Sequence, residues 1–385
     1  MNVGERGPMA GVGTSSTAPR VSVVLATYNR LESLMRLLSC LSKQTLPSDR
    51  FEVVVVDDGS TVPVRERLPL VPASFPFSLR IIEQKNAGPA AARHRGVLEA
   101  RGEILVFVDD DMELPPRFLE THLGYHSSDR PTAVFGRYAS DPKIGEKSIF
   151  ERYHGLKWDE LSRAVALGQV RVDGTLLATG NASMRREDYL RVGGFDLSLL
   201  RAEDMALGLD LEEIGVSLVF SDAAYSVHLS DHTEPAKWRG RAFLHGKLEP
   251  RIARKHPTMA HADPWRFAFS LPLAGRILCL PSVLAPSLGE KLAILAYNAA
   301  EGVDKLGFER LAMRGAGLVF GMEYFRGMRE EAGSFPRAAA QCLHFLGKAA
   351  VADRPLPGVP PWLVGFVTRA RHLRLLARRR NRGRF

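Results

Sequence analysis

The feature that most constrains this chain is an apolar run, Ile104–Val108, that stops abruptly on three consecutive carboxylates, Asp109, Asp110 and Asp111. A short, β-rich, uncharged stretch reads as a buried strand. Three adjacent negative charges at its end repel one another, and each loses hydration beside a core strand. A hard divalent cation on oxygen ligands, shared with substrate phosphates and water, offsets that cost. A solvated acidic turn is the plainer alternative.

The pattern on either side repeats the same idea. Residues 21–26 form a β-branched run followed by Thr27-Tyr28-Asn29-Arg30, after which Leu31, Leu34, Leu37, Leu38 and Leu41 recur at helical spacing. A second strand, 51–56, ends on Asp57-Asp58-Gly59-Ser60, and a third is expected at 79–83. Asn86-Ala87-Gly88-Pro89 turns into an Ala-rich helix over 90–100. Strands alternating with helices, each strand ending in polar residues, predict a parallel α/β sheet with its site at the carboxyl ends of the strands. Further on, the pattern predicts a strand within 129–137, a helix over 149–167, a polar loop at 179–184 and a short helix over 185–192. Another helix starts at Glu203-Asp204, and strands follow at 216–220 and 224–228. Acids at a helix start complement its dipole, which accounts for Glu203 and Asp204 without any chemistry.

These pieces together resemble the family 2 glycosyltransferases. They are Val-Ser-Val-Val-Leu-Ala-Thr-Tyr-Asn-Arg at 21–30, Val-Val-Val-Val-Asp-Asp-Gly-Ser at 53–60, and Asn-Ala-Gly-Pro-Ala-Ala-Ala-Arg at 86–93. The Asp-x-Asp of Asp109 and Asp111, Val-Gly-Gly-Phe-Asp at 192–196 and Glu203-Asp204 complete the order. The resemblance implies an α/β GT-A nucleotide-sugar-binding fold, a mostly parallel sheet flanked by helices. It implies inverting, metal-dependent transfer of a sugar from a nucleoside diphosphate-sugar, a UDP-sugar in the first instance, to an acceptor hydroxyl. Cell-surface polysaccharide or glycolipid synthesis is the implied setting.

Carried over residue by residue, the resemblance puts Ala26, Thr27, Tyr28 and Arg30 at the base and Asp57 on uracil, with a turn-capping role for Asp57 as its alternative. Asn86, Arg93, Asp109, Asp110 and Asn181 join the nucleotide-sugar site. Arg93 reads equally as an exposed helix arginine, and Asn181 equally as part of a plain turn. Asp111, with Asp109, is the implied ligand for Mn2+ or Mg2+, and the spacing to Pro116 sets that register. His228 is the candidate additional ligand, with His232 as its rival. Asp204 is the expected general base, assisted by Glu203.

Beyond residue 233 the resemblance fades. The expected organisation is a disordered tail at 1–19, a catalytic domain at 20–233, an α-helical appendage at 234–354 and a basic amphipathic segment at 355–385. Residues 267–289 are apolar apart from Arg276 and are broken by Pro272, Pro281 and Pro286, which predicts a broken pair of buried or interfacial helices rather than one membrane span. Helices are also expected within 291–300 and 315–328. The chain carries a net charge of +9, and its last 17 residues hold eight arginines and no acid. With Trp362, Leu363, Phe366, Leu373 and Leu376 nearby, they suggest an anchor on an anionic membrane surface. No nucleic-acid motif accompanies the charge. Three separated cysteines and the absence of a hydrophobic leader point to a cytoplasmic setting, peripheral on the membrane, with a glycan or lipid-linked acceptor. Two rivals stand: a nucleotidyltransferase, against which the glycine-free loop at 26–30 counts, and a non-catalytic membrane or glycan-binding protein.

Overall fold

The computed structural model describes residues 18–68, 75–229 and 234–349. The tail at 1–17, His232 and the basic segment at 355–385 lie outside the described residues.

The chain begins β1 (Val21–Thr27), α1 (Leu31–Leu41), β2 (Phe51–Asp57), a short α2 (Val64–Arg67), β3 (Ser78–Glu83), α3 (Pro89–Glu99) and β4 (Ile104–Val108). These strands pair in parallel in the order β3-β2-β1-β4. Alternate residues of each strand enter different cores. Val21, Val23 and Leu25 of β1 and Ile104, Val106 and Val108 of β4 pack with the leucines of α1. Val24, Leu105 and Phe107 face the opposite cluster with Val97, Tyr189 and Leu207. A sheet covered on both faces needs apolar residues at every position, which explains the uninterrupted runs in the sequence.

The second half of the sheet is mixed. It contains β5 (Met112–Glu113), α4 (Phe118–Gly124), β6 (Thr132–Ser140), α5 (Ile149–Ala166), β7 (Asn181–Arg185), α6 (Arg186–Arg191), α7 (Glu203–Glu213) and β8 (Ser217–His228). β7 runs antiparallel between β4 and β6, β8 runs parallel to β6, and β5 lies antiparallel on β8. The expected loop at 179–184 is therefore largely a strand. Its Asn181 and Ser183 hid the pattern, because their polar side chains are satisfied inside the protein by His122 and His126. The two strands expected at 216–220 and 224–228 are one, with an irregular register opposite Gly136 and Tyr138. Only glycine fits at 136, since a Cβ there would stand 1.7 Å from the Ala224 carbonyl oxygen.

Six helices follow: α8 (Pro235–Lys255), α9 (Arg266–Ser270), α10 (Leu273–Leu284), α11 (Pro286–Lys305), α12 (Glu309–Ala332) and α13 (Phe335–Ala349). The break expected within 267–289 falls at Ser270–Pro272 and again at Ala285–Pro286, where each proline ends one helix and opens the next. The sequence reading did not anticipate α8 or α13. α8 and α12 approach closely through Gly246 and Gly327, where a Cβ would come within 1.8 Å of the Tyr324 oxygen and 2.1 Å of the Phe243 oxygen. α5 joins the two halves. Its Phe150 stacks on Tyr297 of α11 with centroids 3.8 Å apart and packs on Trp238 of α8 at 4.7 Å.

Candidate active site

The carboxyl ends of β1 and β4, the start of α7 and the end of β8 meet at one cleft of 3370 Å³, which continues between the sheet and α10–α12. Ala26, Thr27, Tyr28, Arg30, Asn86, Arg93, Asp109, Asp110, Asp111, Glu203, Asp204 and His228 all line it. Twelve residues drawn from separate stretches of sequence therefore converge on one place.

The three aspartates are not equivalent. Asp109 pairs with Arg93, whose other Nη lies 3.4 Å from Glu203. Arg93 is 6% exposed, so it is a buried link between the acidic strand end and α7 rather than an exposed helix residue. Asp110 accepts from Thr27 Oγ1 at 2.7 Å and pairs with Arg30 at 3.1 Å. Burial nevertheless pushes its carboxyl up to about 7. Asp111 pairs with Arg30 at 3.1 Å and lies 3.5 Å from His228 Nε2. The β5–β8 ladder delivers that contact by setting Met112 opposite His228. Burial alone would lower the His228 imidazole, but the hydrogen bond and charge of Asp111 outweigh it and raise it.

A carboxylate and an imidazole converging at the rim of a cleft form a donor set that suits Mn2+ or Mg2+, with phosphate and water filling the remaining positions. The side chains of Asp109, Asp111 and His228 do not all close to within 4.8 Å of one another. Asp109 is instead drawn to Arg93, so Asp111 and His228 are the converging pair.

Asp204 sits in the first turn of α7, directly after Ala202, which holds a left-handed φ of 61°. Its carboxylate accepts from Thr179 Oγ1 and from the Thr179 amide at 3.2 Å. Burial, reinforced by the neighbouring Glu203 charge, pushes its carboxyl up to about 6. A carboxylate held by two donors, with its proton affinity raised toward neutrality, has the properties of a general base. The helix-dipole account of the pair holds as well, but it does not explain the Thr179 clamp.

Two expected contacts are placed elsewhere. Asp57 is 1% exposed, and its two oxygens accept from the Ser60 amide at 3.0 Å and the Val64 amide at 2.8 Å. It organises the loop, and the residue that lines the cleft is Asp58, held by the Ala87 and Gly88 amides at 2.9 Å each. Asn181 is fully buried under the floor, bonded to His122 and to the Ala224 carbonyl, and does not reach the cleft. The backbone beside it does. A Cβ on Gly180 would stand 2.4 Å from Asp109 Oδ2, so the glycine makes room for that carboxylate.

The sequence reading also missed Arg201 and Arg241, which line the cleft and make no hydrogen bond or ion pair among the described residues. Burial and repulsion from Arg201 lower the Arg241 guanidinium to about 10. Two cations facing a cleft, neither hydrogen-bonded nor ion-paired among the described residues, form an electropositive wall. No motif spacing marks them.

Residues 22–193 match the model for "Glycosyl transferase family 2". They are a family 2 glycosyltransferase domain. Among curated proteins the chain is similar to a validoxylamine A glucosyltransferase of Streptomyces hygroscopicus, with 28% identity over 64% of this chain and 63% of that protein. It is also similar to a pre-mycofactocin glycosyltransferase of Mycobacterium tuberculosis, with 29% identity over 62% of this chain and 48% of that one. The chain thus spans less than two thirds of the length of these relatives. A solved mannosyltransferase of Pyrobaculum calidifontis, in complex with GDP-Man and Mn2+, shares the fold with a TM-score of 0.55. Its identity to this chain is 22%, with coverage of 85% of this chain and 88% of that one. The fold is GT-A, an eight-stranded mixed sheet with flanking helices and a helical C-terminal region.

Proposed function

We propose that this chain transfers a sugar from a nucleoside diphosphate-sugar to an acceptor hydroxyl, with inversion at the anomeric carbon. The observation that carries the reading is the opposition, within one cleft, of the Asp111–His228 pair and the Thr179-clamped Asp204. In this reading Ala26, Thr27 and Tyr28 form the wall for the base, and Asp58 accepts from its edge. Uracil, with one imide N–H, is the proposed base. Asn86 and Arg93 flank the diphosphate, and Arg93 keeps Asp109 turned to the ribose. Asp111 and His228 would hold Mn2+ or Mg2+, which when bound would supply positive charge against that growing on the leaving diphosphate. Arg201 and Arg241 add fixed positive charge to the same wall. Asp204 takes the proton of the attacking hydroxyl in a single displacement, so no covalent sugar–enzyme bond forms. Glu203, tied to Arg93, positions α7. The proposed acceptor is a glycan or lipid-linked saccharide, met at the cytoplasmic face of the membrane.

The test is a donor panel. Purified protein with Mn2+ or Mg2+ is screened against UDP- and GDP-sugars for release of nucleoside diphosphate. Slow donor hydrolysis is expected with a UDP-sugar and its loss in Asp204→Asn. Preference for a GDP-sugar would overturn the choice of base, and no turnover of any donor would overturn the reading.

A further inference from the structure

Among the described residues, helices α10 and α11 leave exposed an apolar face that an ordinary soluble surface does not carry. Leu273, Ile277, Leu280 and Leu284 on α10 are 70%, 56%, 49% and 54% exposed, and Leu288 and Leu295 on α11 are 50% and 64% exposed. On α10 the spacing of four, three and four residues puts these side chains along one stripe. Scattered apolar residues are normal on surfaces, but a contiguous aliphatic stripe on adjacent helices marks an interaction site.

The chemistry of the face indicates its occupant. No acid occurs from 264 through 289. Of the two cations there, Arg266 belongs to α9 and lines the cleft, while Arg276 on α10 donates to the Leu271 and Phe269 carbonyls at 2.8 Å each and so is turned back onto its own chain. Protein interfaces draw their binding energy from tryptophan, tyrosine and arginine, with leucine under-represented. The six exposed side chains above are leucine and isoleucine throughout, with no hydrogen-bonding group to fix a partner's orientation. Hydrocarbon asks for none. No helix among the described residues is long and apolar enough to cross a membrane, which leaves insertion parallel to the surface. The same two helices also wall the far end of the catalytic cleft through Leu278 and Ala299.

We propose that the α10–α11 hairpin is a lipid-docking surface, lying in the interface of a bilayer with its leucines among the acyl chains. This surface lies among the described residues and is distinct in sequence from the arginine-rich segment at 369–385, whose charge would add attraction to anionic lipid. It does not depend on the transfer reaction, because docking is read without donor or acceptor.

The experiment is co-sedimentation of the full chain with vesicles of pure phosphatidylcholine at high salt, where attraction by the basic segment is screened. The partner variant replaces Leu273, Ile277, Leu280 and Leu284 together with glutamine. These side chains are 49% to 70% exposed, so circular dichroism and melting temperature should change little, and they confirm the variant is folded. The wild type is expected to partition to the vesicles and the variant to lose about tenfold or more of that partitioning, since each apolar side chain removed from lipid contact forfeits transfer free energy. Equal partitioning of the two would overturn the proposal. So would a wild type that ignores vesicles but elutes as a dimer that the variant breaks, because the face would then cover a second copy. Binding only to anionic vesicles at low salt, unchanged in the variant, would assign docking to the basic segment and overturn it too.

Discussion

Asp204 shows how burial moves an ordinary carboxyl toward the behaviour proposed for it, that of a general base. Its carboxyl is pushed up to about 6, first by burial and then by the Glu203 charge, while Thr179 donates two hydrogen bonds to the ionised form. The base must be ionised to accept a proton, so turnover is expected to fall about tenfold per pH unit below about 6 and to level off above it. Asp204→Asn should remove that limb together with at least about two orders of magnitude in kcat, as steady-state rates across pH 5 to 8 would show. A flat acid limb in the wild type would contradict the assignment. The residue types at the site were legible in the sequence, but the division of labour between neighbours was not. Asp57 and Asp58 are adjacent acids at one strand end, and only the loop geometry decides that the first caps amides and the second lines the cleft. Arg201 and Arg241 carried no sequence signal, because what marks them is their place in the cleft, which the fold alone decides. Arg241→Ala should weaken binding of inorganic pyrophosphate about tenfold, equivalent to about 1.4 kcal/mol, by calorimetry. Unchanged affinity would remove Arg241 from the diphosphate wall.

At the scale of elements, β1, β2 and β4 were readable because a sheet covered on both faces writes uninterrupted apolar runs. β7 was not, because its polar residues face a buried network instead of solvent. His122 bridges Ser183 and Asn181 at 2.9 Å each, and His126 bonds Ser183 at 2.8 Å. Burial lowers both imidazoles to about 4, so the native protein keeps them neutral while the unfolded chain protonates them below about 6.5. Stability should therefore be intact above pH 6.5 and fall on acidification toward 4, by about 1.4 kcal/mol per histidine per pH unit at most. Urea titrations at pH 7 and 5 measure it, and His122→Gln should flatten the slope. A pH-independent midpoint would contradict the neutral network. α8 escaped the sequence reading because its contact with α12 depends on bare backbone at Gly246 and Gly327 rather than on an apolar stripe. Gly327→Ala should cost about 2 kcal/mol or more by overpacking that crossing, as a thermal melt would register.

At the scale of the whole molecule, the sheet and the helices are two walls of one cleft. The first wall carries the acidic strand ends and Asp204, and the second carries the apolar surface proposed to meet lipid. The sequence places a change at about residue 233, where the resemblance fades and the composition shifts, but it gives no sign that α5, through Phe150, Tyr297 and Trp238, ties the two walls together. That contact joins residues far apart in the chain and has no local signature. The central claim is that Asp111 and His228 grip a cation that in turn grips a diphosphate. Calorimetric titration of UDP and GDP into wild type and Asp111→Asn, each with Mn2+ and with EDTA, tests it most directly. The account predicts tight binding of one nucleotide only in wild type with Mn2+, falling by at least about tenfold in the variant or with EDTA. Equal affinity in all four conditions would contradict it.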